Sequence, residues 1–362
     1  MLSENSLLAE LGWSPYWEAL FKAHVRDDIE PGRIIRSDRD SSLVGTVHGF
    51  VRAKPSTRFL KATQKAADFP VVGDWVTVVT SNDLDVLLIE AVLERKGVVS
   101  RCDPGGTSDT HVLAANIDAV FVVHPIAGPA NLRRIERELS LAWESGAIPI
   151  VVLTKADLSP DPASTLAGVE EIAFGVAVHM VNAKSSEDVK QLYEYIPAHS
   201  TAVLIGPSGA GKSTLINSLV GDQRLVTNAV REGDGKGRHT TVAREIVRVP
   251  GHGVIIDTPG LRAVGLTGSD EGIALVFPDI EKLAGSCRFR DCGHNAEPGC
   301  AVEGAIESGA LSQERLDSYH KLVREAEVAA AKSNTRLRAG EKRRGKVLSK
   351  AIREYYKGTD RN

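Results

Sequence analysis

Two kinds of apolar pattern alternate along this chain and divide it into four segments. In residues 1–40, apolar positions from Leu7 to Phe21 recur at roughly helical spacing, and the pattern breaks at Pro31-Gly32. In residues 41–101, turn-forming residues separate short β-rich runs at Leu43 to Val51, Trp75 to Thr80 and Val86 to Leu93. We therefore predict an N-terminal extension that docks on a small antiparallel β-barrel. A five-stranded oligonucleotide-binding fold (OB-fold) has this size, and other small barrels fit as well.

Residues 102–284 follow a different rule, because apolar strands there alternate with helical stretches. The stretch from Asn131 to Glu144, for example, has Leu132, Ile135 and Leu139 on one helical face. Alternation of this kind predicts an α/β domain in which helices cover a mostly parallel sheet. The strands are predicted at Ala119 to Val123, Ile150 to Leu153, Val176 to Val181, Ala202 to Ile205 and Val254 to Ile256.

Residues 285–362 begin with a cluster of Cys and His residues and continue into a helix after Ser312, with Leu316, Leu322 and Ala326 on one stripe. This pattern predicts a C-terminal domain that is mostly helical. The chain ends in a basic tail, since residues 331–362 hold 11 Lys or Arg against 3 Asp or Glu. The whole chain has a net charge of -3, so an acidic body precedes that basic tail.

Composition excludes several classes of protein. With 362 residues, 42% of them hydrophobic, and only four cysteines, the chain is typical of a multidomain globular protein that needs no disulfides. No window approaches the roughly 18 apolar residues of a membrane span. The first residues include acids where a signal peptide would be positively charged. We therefore expect a cytoplasmic protein with no membrane partner.

A glycine-rich loop predicts the main ligand of the α/β domain. The segment matches G-x-x-x-x-G-K-[ST] and lies between a predicted strand and a predicted helix, the context that this motif requires. Its backbone amides turn towards phosphates, Lys212 reaches the β- and γ-phosphates of a nucleoside triphosphate, and the Ser213 hydroxyl binds Mg²⁺. The predicted phosphate-binding residues are Gly206, Pro207, Ser208, Gly209, Ala210, Gly211, Lys212, Ser213 and Thr214.

Two further segments indicate which base is bound. Thr154-Lys155-Ala156-Asp157 follows a predicted strand and resembles the guanine motif N-K-x-D, with Thr in place of Asn. Asp157 would accept hydrogen bonds from guanine N1–H and the exocyclic amine, which adenine does not offer, and the stem of Lys155 would cover the base. Asn182-Ala183-Lys184 follows another predicted strand, and a backbone amide of Ala183 or Lys184 is expected to contact guanine O6.

A fourth motif and the order of all four indicate a circular permutation. Asp257-Thr258-Pro259-Gly260 matches D-x-x-G, in which Asp257 orients Mg²⁺ through water and the Gly260 amide senses the γ-phosphate. The guanine motif begins 52 residues before Gly206, whereas ordinary small GTPases place it last. The same site can be built from a permuted chain because each motif lies on its own strand-to-loop junction. D-x-x-G then leads directly into the C-terminal domain.

The catalytic residues are predicted between the phosphate loop and D-x-x-G. In this polar, glycine-rich stretch, Thr241 or Thr240 is expected to close over Mg²⁺ and the γ-phosphate. Leu261 occupies the position at which Ras-like enzymes have a water-orienting Gln, and Leu cannot orient water. Either His239 or a group from a partner then positions the attacking water, or His239 only contacts a partner. The candidate catalytic residues are His239, Lys212 and Thr241.

Three of the four cysteines lie together in the C-terminal segment. Cys287-x4-Cys292-x-His294-x5-Cys300 offers three thiolates and one imidazole within 14 residues. Ligands of these types make a closed tetrahedral Zn²⁺ site with no open position for catalysis, so we predict one structural zinc ion. The alternative is a set of buried or free thiols, which cytosolic proteins seldom cluster at this spacing. Cys102 is expected to be an ordinary small hydrophobic residue.

The motifs also match a known family when they are taken together. GPSGAGKST after TKAD, followed by GRHTT, DTPG and CRFRDCGHNAEPGC, is similar to the ribosome small subunit-dependent GTPase A family over nearly the whole chain. The resemblance implies an OB-fold barrel, a circularly permuted GTPase domain that binds GTP with Mg²⁺, and a zinc-binding domain. It also implies GTP hydrolysis stimulated by the 30S ribosomal subunit and a role in late 30S maturation. We expect a monomer that binds GTP or GDP, the 30S subunit and its rRNA.

Two other functions stay open from the residues alone. One is a P-loop ATPase or kinase that acts on a small metabolite, and the other is an RNA-binding module whose shape a nucleotide gates without catalysis. The basic tail either binds rRNA phosphates or is a solvated, disordered segment. The barrel has few aromatic residues, which favours contact with folded RNA over stacking on single strands.

Overall fold

The computed structural model describes nine ranges of the chain, which include most of the predicted site. These are residues 6–26, 28–38, 40–63, 65–79, 86–102, 110–126, 130–221, 244–257 and 270–330. His239, Thr240, Thr241, Gly260 and Leu261 lie outside the described residues, as does the basic tail at 331–362.

Five strands close an N-terminal barrel. They are β1 (Ile29–Ser37), β2 (Ser42–Thr46), β3 (Gly49–Pro55), β4 (Trp75–Val79) and β5 (Leu87–Val92). Neighbours pair in the order β1-β2-β3-β5-β4, and β4 pairs back on β1. Every pairing is antiparallel except that of β3 with β5. The predicted five-stranded barrel is therefore confirmed, and its first strand starts at Ile29, inside the segment that the sequence pattern assigned to an extension.

The two faces of β4 show how the barrel is filled and covered. Val76 and Val78 point into the barrel and join its buried apolar cluster. Trp75, on the other face, lies under two short helices, α1 (Leu7–Glu10) and α2 (Pro15–Lys22). The rings of Trp13 and Trp17 pack against Trp75, with centroid distances of 5.0 and 5.9 Å. The N-terminal helices thus dock on the outside of the barrel through aromatic contacts.

A second group of strands forms the α/β sheet. A hairpin of β6 (Val98–Cys102) and β7 (Thr110–Ala115) leads into it from the barrel. The sheet order is β10-β9-β8-β11-β13-β12, with only β12 antiparallel to its neighbour. The strands are β8 (Ala119–Pro125), β9 (Ile148–Thr154), β10 (Ala177–Val181), β11 (Thr201–Ile205), β12 (Glu245–Arg248) and β13 (Val254–Asp257). The predicted mostly parallel sheet is therefore confirmed. Strand β12 was not among the predicted strands.

Helices cover both faces of this sheet, because successive residues of its buried strands point to opposite sides. Val120 and Val122 face one cluster and Phe121 and Val123 the other. Helix α3 (Thr57–Ala62) belongs to the barrel instead, and a 3-10 turn at Ala66–Asp68 follows it. The sheet is covered by α4 (Leu132–Glu144), α5 (Pro162–Ile172), α6 (Ser186–Val189) and α7 (Lys212–Val220). The helix predicted from Ser186 to Ile196 is α6 followed by a 3-10 helix at Lys190–Tyr195.

The C-terminal segment is helical, as predicted. It contains α10 (Ala301–Glu307) and a helix over residues 313–330, named α11 here, and two helices precede it, α8 (Asp270–Val276) and α9 (Pro278–Ala284). Helix α8 packs on α4 of the α/β domain, and the Cys/His cluster lies in the connection between α9 and α10. None of the described helices combines the length and the apolar character that a membrane crossing needs.

A buried arginine joins the barrel to the α/β sheet. Arg33 of β1 donates hydrogen bonds to the backbone carbonyl of Leu11, to that of Gly73 at 3.3 Å and to the hydroxyl of Thr201 at 2.7 Å. Burial lowers the pKa of Arg33 to about 10 although nearby carboxylates oppose the shift, so the side chain remains charged at neutral pH. Since Thr201 begins β11, this arginine fixes the N-terminal segments against the strand that leads to the phosphate loop.

Candidate nucleotide site and metal centre

The phosphate loop lies between β11 and α7, in the predicted strand–loop–helix context. Gly206 has φ of 137°, and a Cβ there would lie 2.1 Å from the carbonyl oxygen of Val123 in β8. Only glycine permits this close approach of the loop to the neighbouring strand. The backbone amides at the N-terminus of α7 and the positive end of its helix dipole then face the region beside this loop, which favours binding of a phosphate.

Lys212 folds back over this loop. Its ammonium donates hydrogen bonds to the carbonyl oxygens of Gly206 and Pro207, both at 2.7 Å. Ser213, next in the chain, lies exposed in the first turn of α7. The loop therefore presents one cationic group and one hydroxyl beside the helix N-terminus, which is the chemistry that a triphosphate with Mg²⁺ requires.

The T-K-x-D segment follows β9 and is bonded to the phosphate loop. The Thr154 hydroxyl donates a hydrogen bond to the carbonyl oxygen of Ala210 at 2.6 Å. Lys155 adopts a left-handed conformation, with φ of 60° and ψ of 36°, and Asp157 lies exposed in a 3-10 turn at Ala156–Leu158. Thus Thr154 faces the phosphate loop while the carboxylate that is predicted to read the base reaches solvent.

The second guanine segment is also tied to the phosphate-loop helix. Ser218 of α7 donates a hydrogen bond to the carbonyl oxygen of Ala183 at 2.6 Å. The amide of Asn182 donates to Asp188 at 3.1 Å, and the amide of Lys184 donates to the Asn182 side chain at 3.0 Å. These bonds hold the tight turn after β10 in place against α7.

The four motifs meet at one edge of the sheet. The phosphate loop, the two guanine segments and Asp257 follow β11, β9, β10 and β13, which all run parallel. Ligands of open α/β sheets bind at the carboxyl ends of such strands. The structure therefore brings together the described residues of the nucleotide site, although the guanine motif comes first in the chain.

The Cys/His cluster has the dimensions of a tetrahedral metal site. The ligand atoms of Cys287, Cys292, His294 and Cys300 all lie within 4.8 Å of one another. Cys287 Sγ is 3.9 Å from Cys300 Sγ and 3.7 Å from His294 Nδ1. Zinc–sulfur bonds of about 2.3 Å place tetrahedral sulfur ligands about 3.8 Å apart. The four residues thus fit one Zn²⁺ ion and leave no open coordination position.

The surroundings of the thiols favour a bound cation. Burial disfavours the thiolate of Cys287, but hydrogen bonds from the amides of Ala301 and Val302 outweigh it and lower the pKa of Cys287. The pKa of Cys292 is raised to about 11, since burial and the sulfurs of Cys300 and Cys287 outweigh the hydrogen bond from the His294 amide. Closely spaced thiolates repel one another, and a bound divalent cation would offset that repulsion.

A carboxylate holds the loop between the ligands. Glu297 accepts hydrogen bonds from the amides of Gly293 at 3.0 Å and Asn295 at 2.6 Å. These amides favour the ionised form and hold the pKa of Glu297 below its ordinary value. Because His294 lies between the two amides, with φ of 55°, Glu297 maintains the left-handed turn that points the imidazole at the sulfurs.

Comparison with known proteins gives consistent matches. Residues 92–267 match the family described as RsgA GTPase. Over 363 aligned positions the chain is 44% identical to the small ribosomal subunit biogenesis GTPase RsgA of Streptomyces coelicolor, covering 98% of this chain and 97% of that protein. The chain belongs to the RsgA GTPase family. The relative of the same name from Xanthomonas campestris is 40% identical, with 95% of this chain and 94% of that protein covered.

Solved structures agree with this membership of the RsgA GTPase family. The crystal structure of YloQ, a circularly permuted GTPase, matches with a TM-score of 0.60 and 25% identity, over 84% of this chain and 97% of that one. YjeQ from Thermotoga maritima has the same fold, with a TM-score of 0.60, 24% identity, and 82% and 98% of the two chains covered. The permutation predicted from the motif order is confirmed.

In this member of the RsgA GTPase family, a buried arginine joins the α/β domain to the C-terminal helices. Arg315 of α11 donates to Glu136 of α4 at 2.6 Å, to the carbonyl oxygen of Val276 at 2.7 Å and, through two nitrogens, to Asp279 at 3.0 Å. Its guanidinium also lies 4.3 Å from the ring centroid of Phe277. Since α8 and α9 follow the D-x-x-G segment, Arg315 holds together the elements that lead from the nucleotide site to the metal centre.

Sequence reasoning missed three of these contacts. The sequence shows Thr154 only as a departure from N-K-x-D. That departure is a usable signal, because a polar side chain at this position needs a hydrogen-bond partner. Ser218 and Arg315 gave no local signal. Their partners lie 35 and 179 residues away, in segments with no shared pattern.

Proposed function

We propose that this protein hydrolyses GTP on the small (30S) ribosomal subunit and assists its late maturation, with the subunit stimulating hydrolysis and hydrolysis timing release. Two hydrogen bonds, made by Thr154 and Ser218, join the phosphate loop to the guanine segments and support the GTP-binding part of this proposal. Relatives with 40–44% identity over almost the whole chain are named small ribosomal subunit biogenesis GTPases.

We assign the base contacts by chemistry. Asp157 accepts from guanine N1–H and the exocyclic amine, and the stem of Lys155 covers the ring. Because the amides on either side, of Asn182 and Lys184, donate within the turn, the Ala183 amide is the donor for guanine O6. The alternative function, an ATPase or kinase that acts on a small metabolite, does not fit this assignment, because adenine has no N1–H to donate to Asp157. Competition of ATP and GTP for a fluorescent GTP analogue tests it, and equal displacement would disprove the role of Asp157.

The phosphate side follows from the loop. Lys212 would neutralise charge on the β- and γ-phosphates. Ser213 and Asp257 would hold Mg²⁺, which would stabilise charge on the transferred phosphoryl group. Asp257 ends β13 at the same edge of the sheet, half-buried. The Gly260 amide contacts the γ-phosphate and Thr241 closes over it in this proposal, although neither belongs to the described residues.

The mechanism also requires a group that positions the attacking water. Leu261 cannot orient water, so we propose that His239 or a group of the ribosomal partner does so. Turnover of the His239→Ala variant with 30S subunits separates the two. A large loss of stimulated hydrolysis with unchanged nucleotide affinity supports His239, and near-normal hydrolysis assigns the task to the partner.

Partner choice is tested by sedimentation. We propose that a cytoplasmic monomer binds the 30S subunit through its rRNA, using the barrel, the metal-binding segment and the basic tail, without a membrane partner. With a non-hydrolysable GTP analogue, the protein should co-sediment with 30S and less with 50S or 70S particles. Single-turnover hydrolysis with and without 30S then excludes a module that nucleotide merely gates, because such a module would not speed up on the subunit.

Nucleotide state is proposed to reach the metal centre through α8 and α9. These helices follow the segment of Gly260 and are held by Arg315. Loss of the γ-phosphate would release the D-x-x-G segment and shift this unit, which lowers affinity for the subunit. Comparing 30S affinity with GTP analogue and with GDP tests the coupling, and equal affinities would rule it out.

A further inference from the structure

The four residues between the first two metal ligands form an exposed tip, Arg288 to Asp291, called the zinc knuckle here. Both ends are fixed, because Cys287 and Cys292 belong to the metal cluster. Arg288 is also held at the base of the tip. Its amide donates to the carbonyl oxygen of Gly299 at 3.1 Å, and a Cβ on Gly299 would lie 3.0 Å from its own Cβ. Contacts within the protein therefore hold both ends of the knuckle.

An aromatic ring stands on this tip. Phe289 leaves 44% of its surface exposed and is the single exposed large hydrophobic residue within 285–312, a range that the structure describes completely. The guanidinium of Arg288 lies 5.5 Å from its ring centroid, a cation–π contact that orients the ring. One ring offers too little area for docking a protein, where apolar patches of several hundred Å² are usual. It is enough to stack one nucleobase.

The charges around the ring have the sign that nucleic acid requires. Arg288 and Arg290 flank Phe289 and are both exposed. The imidazole of His320, in α11, contacts the Gly293 carbonyl oxygen at 3.0 Å, which brings α11 to the same loop.

The nearest acid in sequence, Asp291, lies exposed beside Arg290, so two arginines and one carboxylate leave the tip with a net positive charge. The next acids along the chain are engaged within the loop. Glu297 binds the amides of Gly293 and Asn295, and Glu303 accepts from the Ala296 amide at 3.2 Å. Their charges are thus partly offset by amide donors, while the arginines of the knuckle reach solvent.

We propose that Phe289 stacks on an unpaired base of the small-subunit RNA, with Arg288 and Arg290 binding the phosphates on either side. This rests on the proposed function, since it requires that the protein binds the 30S subunit. Folded RNA is recognised chiefly at unpaired bases that stack on aromatic or guanidinium planes. Because contacts within the protein hold both ends of the knuckle, ordering it on binding costs little, so one stacked base contributes measurable affinity.

The test measures 30S affinity in the presence of a non-hydrolysable GTP analogue. Phe289→Ala should weaken binding by about 5- to 150-fold, the range of one lost base stack. Phe289→Trp should bind at least as well as the parent, and Phe289→Leu should bind like the Ala variant. Recovery by Leu would overturn the proposal in favour of an apolar protein contact. Protein-free 16S rRNA as a second probe should show the same ranking.

Two controls separate this proposal from the function beneath it. Val328→Ala removes an apolar side chain of similar exposure on α11 and should leave binding unchanged. Zinc content and intrinsic GTP hydrolysis of the Phe289 variants should match the parent, which excludes a folding defect. Equal 30S binding by the parent and Phe289→Ala would disprove the stacking contact and leave the proposed function in place. Absence of 30S binding by the parent protein would disprove the proposed function and, with it, the stacking contact.

Discussion

The Thr154 hydroxyl donates a hydrogen bond to the carbonyl oxygen of Ala210 at 2.6 Å, although the two residues are 56 positions apart. Both are almost completely buried, with Thr154 1% exposed. The bond connects the strand that ends in the guanine motif to the middle of the phosphate loop. The proposed base-binding and phosphate-binding segments are therefore joined directly, so a change at Thr154 should affect both kinds of binding.

Replacing Thr154 with Val keeps the shape and removes the donor. The Ala210 carbonyl is then buried without this partner, which costs about 1–3 kcal/mol. If the loop relaxes to recover a partner, GTP affinity should fall by roughly tenfold, since about 1.4 kcal/mol corresponds to a factor of ten. Titration with a fluorescent GTP analogue measures this. Thr154→Ser keeps the hydroxyl and should bind normally, whereas normal binding by the Val variant would show that the bond does not position the loop.

Replacing Asp157 with Asn should change the preferred base. In the proposed site the carboxylate accepts two hydrogen bonds from guanine. Losing charge-assisted bonds that each contribute about 1.5–3 kcal/mol should then weaken GTP binding by at least about 100-fold. An Asn amide can donate to the extra carbonyl of xanthine, so XTP should bind better than GTP. Asp161→Asn is the matched control, because that residue only caps α5. Unchanged GTP affinity in Asp157→Asn would place the base elsewhere.

Replacing Arg315 with Met should destabilise the protein strongly. It leaves Glu136 buried beside α11, and removal of one partner of a buried ion pair costs about 3–5 kcal/mol. Urea unfolding measures the loss. The partly exposed pair of Arg137 and Glu325 provides the control, since Arg137→Ala should cost no more than about 1 kcal/mol. Similar losses in the two variants would contradict a central role for Arg315.

The Arg315→Met defect should also depend on pH. Burial already raises the pKa of Glu136 above its ordinary value in the intact protein, and loss of the guanidinium raises it further. A carboxyl whose folded pKa exceeds its unfolded pKa favours folding when protonated, so its penalty grows as pH rises from the unfolded value through the folded one. The stability deficit should therefore be smaller near about pH 5 than near about pH 8. A deficit that is constant with pH would mean that Glu136 finds another partner.

Replacing Cys292 with Ser should remove the metal. The parent protein should hold one zinc ion per chain, and a site with three remaining strong ligands should lose it during dialysis against a chelator. Hydrogen exchange should then rise around α10, whose first turn is capped by Cys300. GTP affinity should stay unchanged. Cys102→Ser should keep its zinc, and retention of zinc by Cys292→Ser would show that Cys292 is not a ligand.

Parts of the fold could be predicted where the pattern is local and strong. The parallel strands and α4 follow from apolar runs and periodicity, and Asn131 caps α4 as its residue type suggests. The strand β1 was missed because Pro31-Gly32 normally interrupts a strand. Pairing with both β2 and β4 stabilises it nevertheless, and such support from distant strands leaves no mark on the segment itself.

The candidate binding groups of this protein could be predicted from the sequence alone, because each is a short contiguous segment: the loop from Gly206 to Thr214, the T-K-x-D segment and the Cys/His cluster. Amides and thiolates that are close in sequence remain close in any fold that keeps the local turn. The way in which these segments are joined depends on chain packing and could not be predicted. Arg33 with Thr201, Thr154 with Ala210 and Arg315 with Glu136 bridge 168, 56 and 179 residues. Those partners are chosen by chain packing, for which no spacing rule exists along the sequence.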